Sequence, residues 1–171
     1  MQRQQPKSAL REWIEVFLKA GILAFLIITF IAQSYIVDGI SMLPTLEDGQ
    51  RLIVEKVSYR FRDPLPGEIV VLNVPNAQYI KRVIAVGGDI IEARGGQVFV
   101  NGVRIDEPYV SAATYPNFGP LVVPEGHLWV MGDNRPYSND SRGTVGFLEE
   151  SAVVGRAVFR YWPLTKVGLL D

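Results

Sequence analysis

The sequence predicts a mainly β protein behind one apolar N-terminal helix, and three observations carry that expectation. An uncharged run occupies residues 20–37, the apolar residues after it recur in short alternating stretches, and eleven prolines with sixteen glycines supply many turns. At 171 residues the chain has room for one domain with a small appendage and for a core of real size. The net charge of −1 gives no basic face, so no nucleic-acid partner is expected. There is no cysteine and one histidine, His127, without an acidic cluster beside it. Disulfide and thiolate chemistry are therefore excluded, and neither a metal nor a cofactor is expected.

The elements follow in order. Residues 1–19 are polar, with Arg3, Lys7, Arg11 and Lys19 against Glu12 and Glu15. Residues 20–37, AGILAFLIITFIAQSYIV, read as a transmembrane helix. As a helix they would span about 27 Å, just under the ~30 Å hydrocarbon core, and Lys19 can snorkel to lengthen the reach. The positive flank predicts a cytoplasmic N-terminus and an exported remainder, with the lipid bilayer as a partner. A cleavable signal peptide is the competing reading, because Ala32-Gln33-Ser34 resembles a small-x-small site.

Residues 38–171 then read as the exported β-rich domain. Strands are expected over 51–61, 68–74 and 78–86, and Gly87-Gly88-Asp89 ends the third. QVFVNGVRI, 97–105, is a hairpin with Asn101-Gly102 as its two-residue turn. HLWVMGD and AVVGRAVFRYWP continue the strand habit. Residues 107–125 are a loop or part of a small subdomain inserted at about 90–126.

Ser41 lies in DGISMLPTLEDG, directly after the apolar run. A serine between turn formers is ordinarily a turn hydroxyl. Gly39, however, allows close approach of a substrate backbone, Pro44 fixes the chain beyond, and Met42 and Leu46 suit a shallow apolar pocket. A nucleophile needs a base. An unperturbed lysine is neutral in about one molecule in 2,500 at pH 7, a handicap of about 4.6 kcal/mol that burial in apolar surroundings largely removes. Lys81 in QYIKRVIAV fits: strand alternation sets Tyr79, Lys81, Val83 and Ala85 on one face, and Arg82 on the other. Lys56 is the rival, beside Glu55 at a strand end. A third segment, GDNRPYSNDSRGTVGF, holds two Asp/Arg pairs with interleaved hydroxyls, a network able to fix an amine in place.

DGISMLPTL, PGEIVVL, YIKRVIAVGGD and GDNRPYSNDSRGTVGF, in this order behind an apolar span, resemble the type I signal peptidases. These are membrane-bound Ser-Lys serine proteases that remove signal peptides from exported preproteins. The resemblance runs from about Val37 to Phe147 and implies a catalytic domain of coiled antiparallel β-sheet. It implies Ser41 as nucleophile, Lys81 as general base, and Ser138 as a hydroxyl that hydrogen-bonds and orients the lysine. Asp140, Arg142, Asp133 and Arg135 become the supporting network, and Val37, Met42, Leu46, Tyr79 and Ile80 the lining of pockets for small substrate side chains. A bacterial-type plasma membrane is the implied location, with a thylakoid membrane as the alternative.

Two departures stand out. Gly39 occupies a position where some members carry an oxyanion-hole hydroxyl, and Pro136-Tyr137 replaces acidic or amide residues after GDNR. Competing readings are a non-catalytic membrane-anchored β-module that binds extended peptides, a self-cleaving Ser-Lys protease of the repressor type, and a hydrolase built on His127.

Overall fold

The structure, a computed structural model, describes residues 9–170. The polar flank at 1–8, with Arg3 and Lys7, lies outside the described residues. One helix, α1 (Ala9–Phe30), leads into twelve strands. They are β1 (Ala32–Ile36), β2 (Arg51–Glu55), β3 (Ile69–Val74), β4 (Ala77–Val86), β5 (Ile90–Arg94), β6 (Gln97–Val100), β7 (Val103–Arg104), β8 (Phe118–Val122), β9 (His127–Met131), β10 (Leu148–Glu149), β11 (Val153–Trp162) and β12 (Gly168–Leu169).

The uncharged run 20–37 does not stay helical. The helix starts earlier, at Ala9, and stops at Phe30, and the last part of the run becomes β1. Tyr35 and Ile36 are strand formers, and pairing with β2 outweighs uniform hydropathy there. The uncharged part of the helix is thus 20–30, about 16 Å long. Among the described residues no helix is long and apolar enough to cross a membrane. Ile31, the single residue between α1 and β1, is bonded on both sides: its N–H donates to Ile27 O (2.9 Å) and its carbonyl accepts from Lys56 N (2.9 Å).

The strands form two antiparallel sheets. The larger runs β1-β2-β11-β3-β4-β9-β10, with β12 added to β11. The smaller runs β7-β6-β5-β8. Asn101 and Gly102 turn the β6–β7 hairpin with φ of 51° and 77°, the left-handed pair that a two-residue loop requires. The strand expected over 51–61 ends at Glu55, because the Glu55 carboxylate accepts from the N–H groups of Val57 and Ser58 (3.0 Å each) and rolls the chain into a short 3₁₀ turn.

Three apolar clusters hold the sheets. Val37, Met42 and Leu46 pack on Leu52, Val54, Ile69 and Val71, which seats the Ser41 turn on the large sheet. Val70, Leu72, Val83, Leu128, Val130 and Leu148 pack the opposite face. Ile84, Ala85 and Met131 join Ile91 and Val98 of the small sheet. The face expected to carry Tyr79, Lys81, Val83 and Ala85 therefore holds only as far as Val83. A register shift against β9 between Val83 and Ala85 turns Ala85 into the contact between sheets.

Candidate active site

Residues 37–50 form a closed turn on the sheet. Val37 N donates to Gln50 O (2.8 Å), Gly49 N to Val37 O (2.9 Å) and Leu46 N to Met42 O (2.9 Å). Gly39 takes φ +89°, which favours glycine, and its N–H donates to Asp48 Oδ1 at 2.7 Å. Buried Met42 and Leu46 anchor the turn from below, and Ser41 remains half-exposed on top.

β4 delivers Lys81 to that hydroxyl. The residue is 3% exposed, and its Nζ donates to Ser41 Oγ at 2.7 Å. Burial pushes the ammonium down to about 8, against the raising influence of Asp140 and Asp133. At that value the handicap of reaching the neutral form at pH 7 shrinks from about 4.6 to about 1.4 kcal/mol. Lys56 stands apart, donating to Gln33 Oε1 at 2.6 Å. His127 opens β9 with its Nδ1 3.0 Å from Glu125 O.

The segment 132–142 lies against both residues. Asn134 N donates to Ser41 O (3.0 Å) and Asn134 Nδ2 to Ile40 O (2.9 Å), which ties the serine turn to this loop. Asp140 and Arg142 form the expected pair, with Arg142 Nη2 at 2.8 Å and Nε at 2.9 Å from the carboxylate. Burial raises the Asp140 pKa, and Arg142 with the Gly132 N–H (3.0 Å) more than reverses this, so the carboxylate sits below its ordinary range. The other pairing differs from the sequence expectation. Asp133 pairs with Arg82, through Nε at 3.0 Å and Nη2 at 2.8 Å, and accepts Thr45 Oγ1 at 2.6 Å. Arg135, fully buried, turns instead to Glu107 and Thr114 of the loop before β8. Ser138 Oγ is buried and close enough to the Asp140 carboxylate to help hold its pKa down; the amine of Lys81 donates to Ser41 instead of to Ser138.

Beside Ser41 and Lys81 lies a cavity of about 140 Å³, lined among others by Val37, Met42, Val71, Tyr79 and Ile80. Four of the expected pocket residues thus border it, while Leu46 lies beneath in the core and Gly39 at the edge of the turn. Larger cavities exist elsewhere, one of about 320 Å³ along 96–114, but they hold neither Ser41 nor Lys81. Geometry and chemistry, not size, single out the smaller one.

The family model described as "Signal peptidase, peptidase S26" matches residues 10–162. The chain belongs to this family. It is 43% identical over 169 residues to a probable signal peptidase I-2 of Synechocystis sp., covering 92% of this chain and 77% of that protein. A signal peptidase I of Bacillus amyloliquefaciens is 35% identical over 176 residues, covering 97% and 95%. The crystal structure of a signal peptidase I from Enterococcus faecalis V583 superposes with a TM-score of 0.50 at 29% identity, covering 56% of this chain and 97% of that one. As a signal peptidase the chain is a serine endopeptidase that removes signal peptides from preproteins.

Four residues of this signal peptidase's site were not singled out from sequence. Thr45 and Arg82 fix Asp133, Glu107 fixes Arg135, and Gly132 has no room for a side chain because Ser41 O and the Ser138 side chain occupy the place of its Cβ. Thr45, Arg82 and Gly132 lie inside the quoted motifs, and Glu107 lies outside them. The roles of Thr45, Arg82 and Glu107 come from long-range pairing that residue order does not show.

Proposed function

We propose that this signal peptidase cleaves preproteins after small-x-small sites with Ser41 as nucleophile and Lys81 as general base. The observation that carries this reading is the buried Lys81 amine 2.7 Å from Ser41 Oγ. Neutral Lys81 takes the Ser41 proton as Oγ attacks the carbonyl at the end of the signal peptide. The resulting ammonium protonates the departing amine, which leaves as the new N-terminus of the mature protein. Water then attacks the acyl-enzyme as Lys81 takes its proton, and the ammonium returns that proton to Ser41 Oγ as the signal peptide's new carboxyl group leaves. Ser41 N–H is one oxyanion donor in this scheme; the Gly39 N–H is already given to Asp48.

The substrate binds extended between two strand edges. β1 is the edge of the large sheet, and residues 77–81 of β4 pair only with β3 among the described strands. A peptide between them adds a strand, and a cavity of about 140 Å³ admits only small side chains. Asp140, Arg142, Asp133 and Arg135 hold the loop over Lys81, with Ser138 beside them. Helix α1 exposes Trp13, Phe17, Leu18, Leu23 and Phe25 along its length. This apolar surface favours attachment to the bilayer, N-terminus on the cytoplasmic side and the β domain exported.

The test is cleavage of a preprotein in detergent by wild type, Ser41→Ala and Lys81→Ala, with the new N-terminus sequenced. Cleavage after a small-x-small site by the wild type alone is expected. Cleavage by a folded Ser41→Ala protein removes the nucleophile assignment.

A further inference from the structure

One turn beside the small sheet supplies two side chains to two buried arginines. Residues 107–110 close on a hydrogen bond from Val110 N to Glu107 O (3.0 Å). From this turn Glu107 pairs with Arg135 through both carboxylate oxygens. Tyr109 goes to Arg82, its ring lying over the guanidinium with Cζ 4.0 Å from the centroid. The Tyr109 hydroxyl donates to Glu107 Oε1 at 3.2 Å, so the two contacts are tied together.

Arg82 is the pivot of this arrangement. Its Nε and Nη2 donate to Asp133 (3.0 and 2.8 Å), its Nη1 donates to Gly67 O (2.7 Å), and its face meets the Tyr109 ring. A cavity of about 390 Å³ borders ring and guanidinium, and neither Ser41 nor Lys81 lines it. Tyr109 is equally absent from the lining of the cavity beside Ser41. Asp133 links this remote side to the reacting groups. It accepts from Thr45 Oγ1 of the serine turn at 2.6 Å, and its charge is one of two that favour the Lys81 ammonium, the other being Asp140.

We propose that Tyr109 is a positioning residue for the peptidase reaction, acting through Arg82 and Asp133. The ring holds Arg82 on Asp133, which seats the Ser41 turn and keeps the Asp133 charge neutralised by Arg82 instead of directed at Lys81. The inference rests on the reading of Ser41 and Lys81 given above. The attraction between ring and guanidinium comes from the negative face of the aromatic system, so it weakens when that density is withdrawn. Burial, followed by the charge of Glu107, pushes the Tyr109 phenol above its ordinary range, and the ring stays neutral where the enzyme works. The remaining groups facing Lys81 are Asp140 and Arg142 of the loop, the Ser41 hydroxyl and the Tyr79 ring (5.2 Å). A change of ring electronics at Tyr109, with its shape kept, leaves all of these in place.

The experiment uses the full-length protein in detergent with a preprotein substrate and reads kcat/KM against pH. Tyr109 is replaced by Phe, then by mono-, di- and trifluorophenylalanine, and separately by Leu. Tyr109→Phe keeps the ring and should keep the acidic limb of the wild type. Across the fluorinated series the limb should move stepwise to higher pH, by about half a unit in all. At pH 7 that is a loss of about threefold in kcat, with KM unchanged because Tyr109 lies away from the cleft. Tyr109→Leu should move the limb at least as far. A merely structural ring would lower the melting temperature and leave the limb where it is. A fixed limb through the folded fluorinated series overturns the inference, and that isosteric series decides alone where Tyr109→Leu fails to fold. A wild type without any acidic limb removes the Ser41/Lys81 reading itself, and the inference with it.

Discussion

The carbonyl oxygen of Ser41 lies where a side chain on Gly132 would begin. The Ser138 Cβ crowds the same point at 2.6 Å. Gly132 also donates its N–H to Asp140 and accepts Arg135 Nε at its carbonyl (3.2 Å). A methyl group there must push the serine turn away from the loop that carries Asp133 and Asp140. Gly132→Ala should therefore lower kcat about a hundredfold, the usual consequence of displacing a catalytic group by about 1 Å. Circular dichroism should still show a folded β protein, and steady-state kinetics on a preprotein gives the comparison.

Activity should rise with pH. The base must be neutral, and the Lys81 amine is brought down to about 8, so kcat/KM should climb tenfold per unit below that pH and level off above it. Lys81→Arg keeps the charge and cannot supply a neutral amine. Its processing should fall by at least about 10², and retained processing would exclude the neutral-amine role.

The same burial costs stability. Lys81 titrates at about 8 in the folded chain against an ordinary 10.5. Between these values the unfolded chain binds more protons, so stability rises with pH across the window and is lower by about 3 kcal/mol below it. Lys81→Met should accordingly stabilise the inactive protein at pH 7, by up to about 3 kcal/mol, and the advantage should fade above pH 10. Urea unfolding at the two pH values measures this.

Asp140 raises the Lys81 pKa, so Asp140→Asn should move the acidic limb of the pH profile to lower pH. The substitution also leaves the Arg142 guanidinium, whose side chain is 6% exposed, without its carboxylate. Stability should drop by about 3–5 kcal/mol, the cost of unpairing a buried ion. A lower limb with a lower melting temperature is the combined expectation.

Glu107 and Arg135 join the small sheet to the active-site loop, and Arg135 is fully buried. Glu107→Ala should destabilise by about 3–5 kcal/mol. Glu107→Leu combined with Arg135→Met should recover most of that loss, since apolar pairs replace buried ion pairs with little penalty. Thermal melts of the single and double variants separate lost charge pairing from lost packing.

Much of this was legible from residue order alone. Lys81 stands out because a single ammonium among strand-forming apolar residues cannot be comfortable as a cation. Asn101-Gly102 marks its hairpin because only a left-handed pair closes so short a loop. Other features depended on neighbours that order does not show. Alternation places Arg82 on the strand face opposite Lys81, and its partner Asp133 lies 51 residues away. Glu55 ends β2 through its own side chain, where alternation alone continued the strand to residue 61. The end of α1 was hidden because Ala32–Ile36 is as uncharged as the helix before it. Hydropathy reads burial or lipid contact, and only the pairing with Arg51–Glu55 distinguishes the strand.

The bonding of Ile31 has a mechanical consequence. A hinge needs backbone torsions free to turn, and the one residue between α1 and β1 has its N–H committed to the helix and its carbonyl to Lys56. β1 in turn forms one wall of the cavity beside Ser41. The helix therefore acts as a handle: whatever fixes its tilt also aims the cleft.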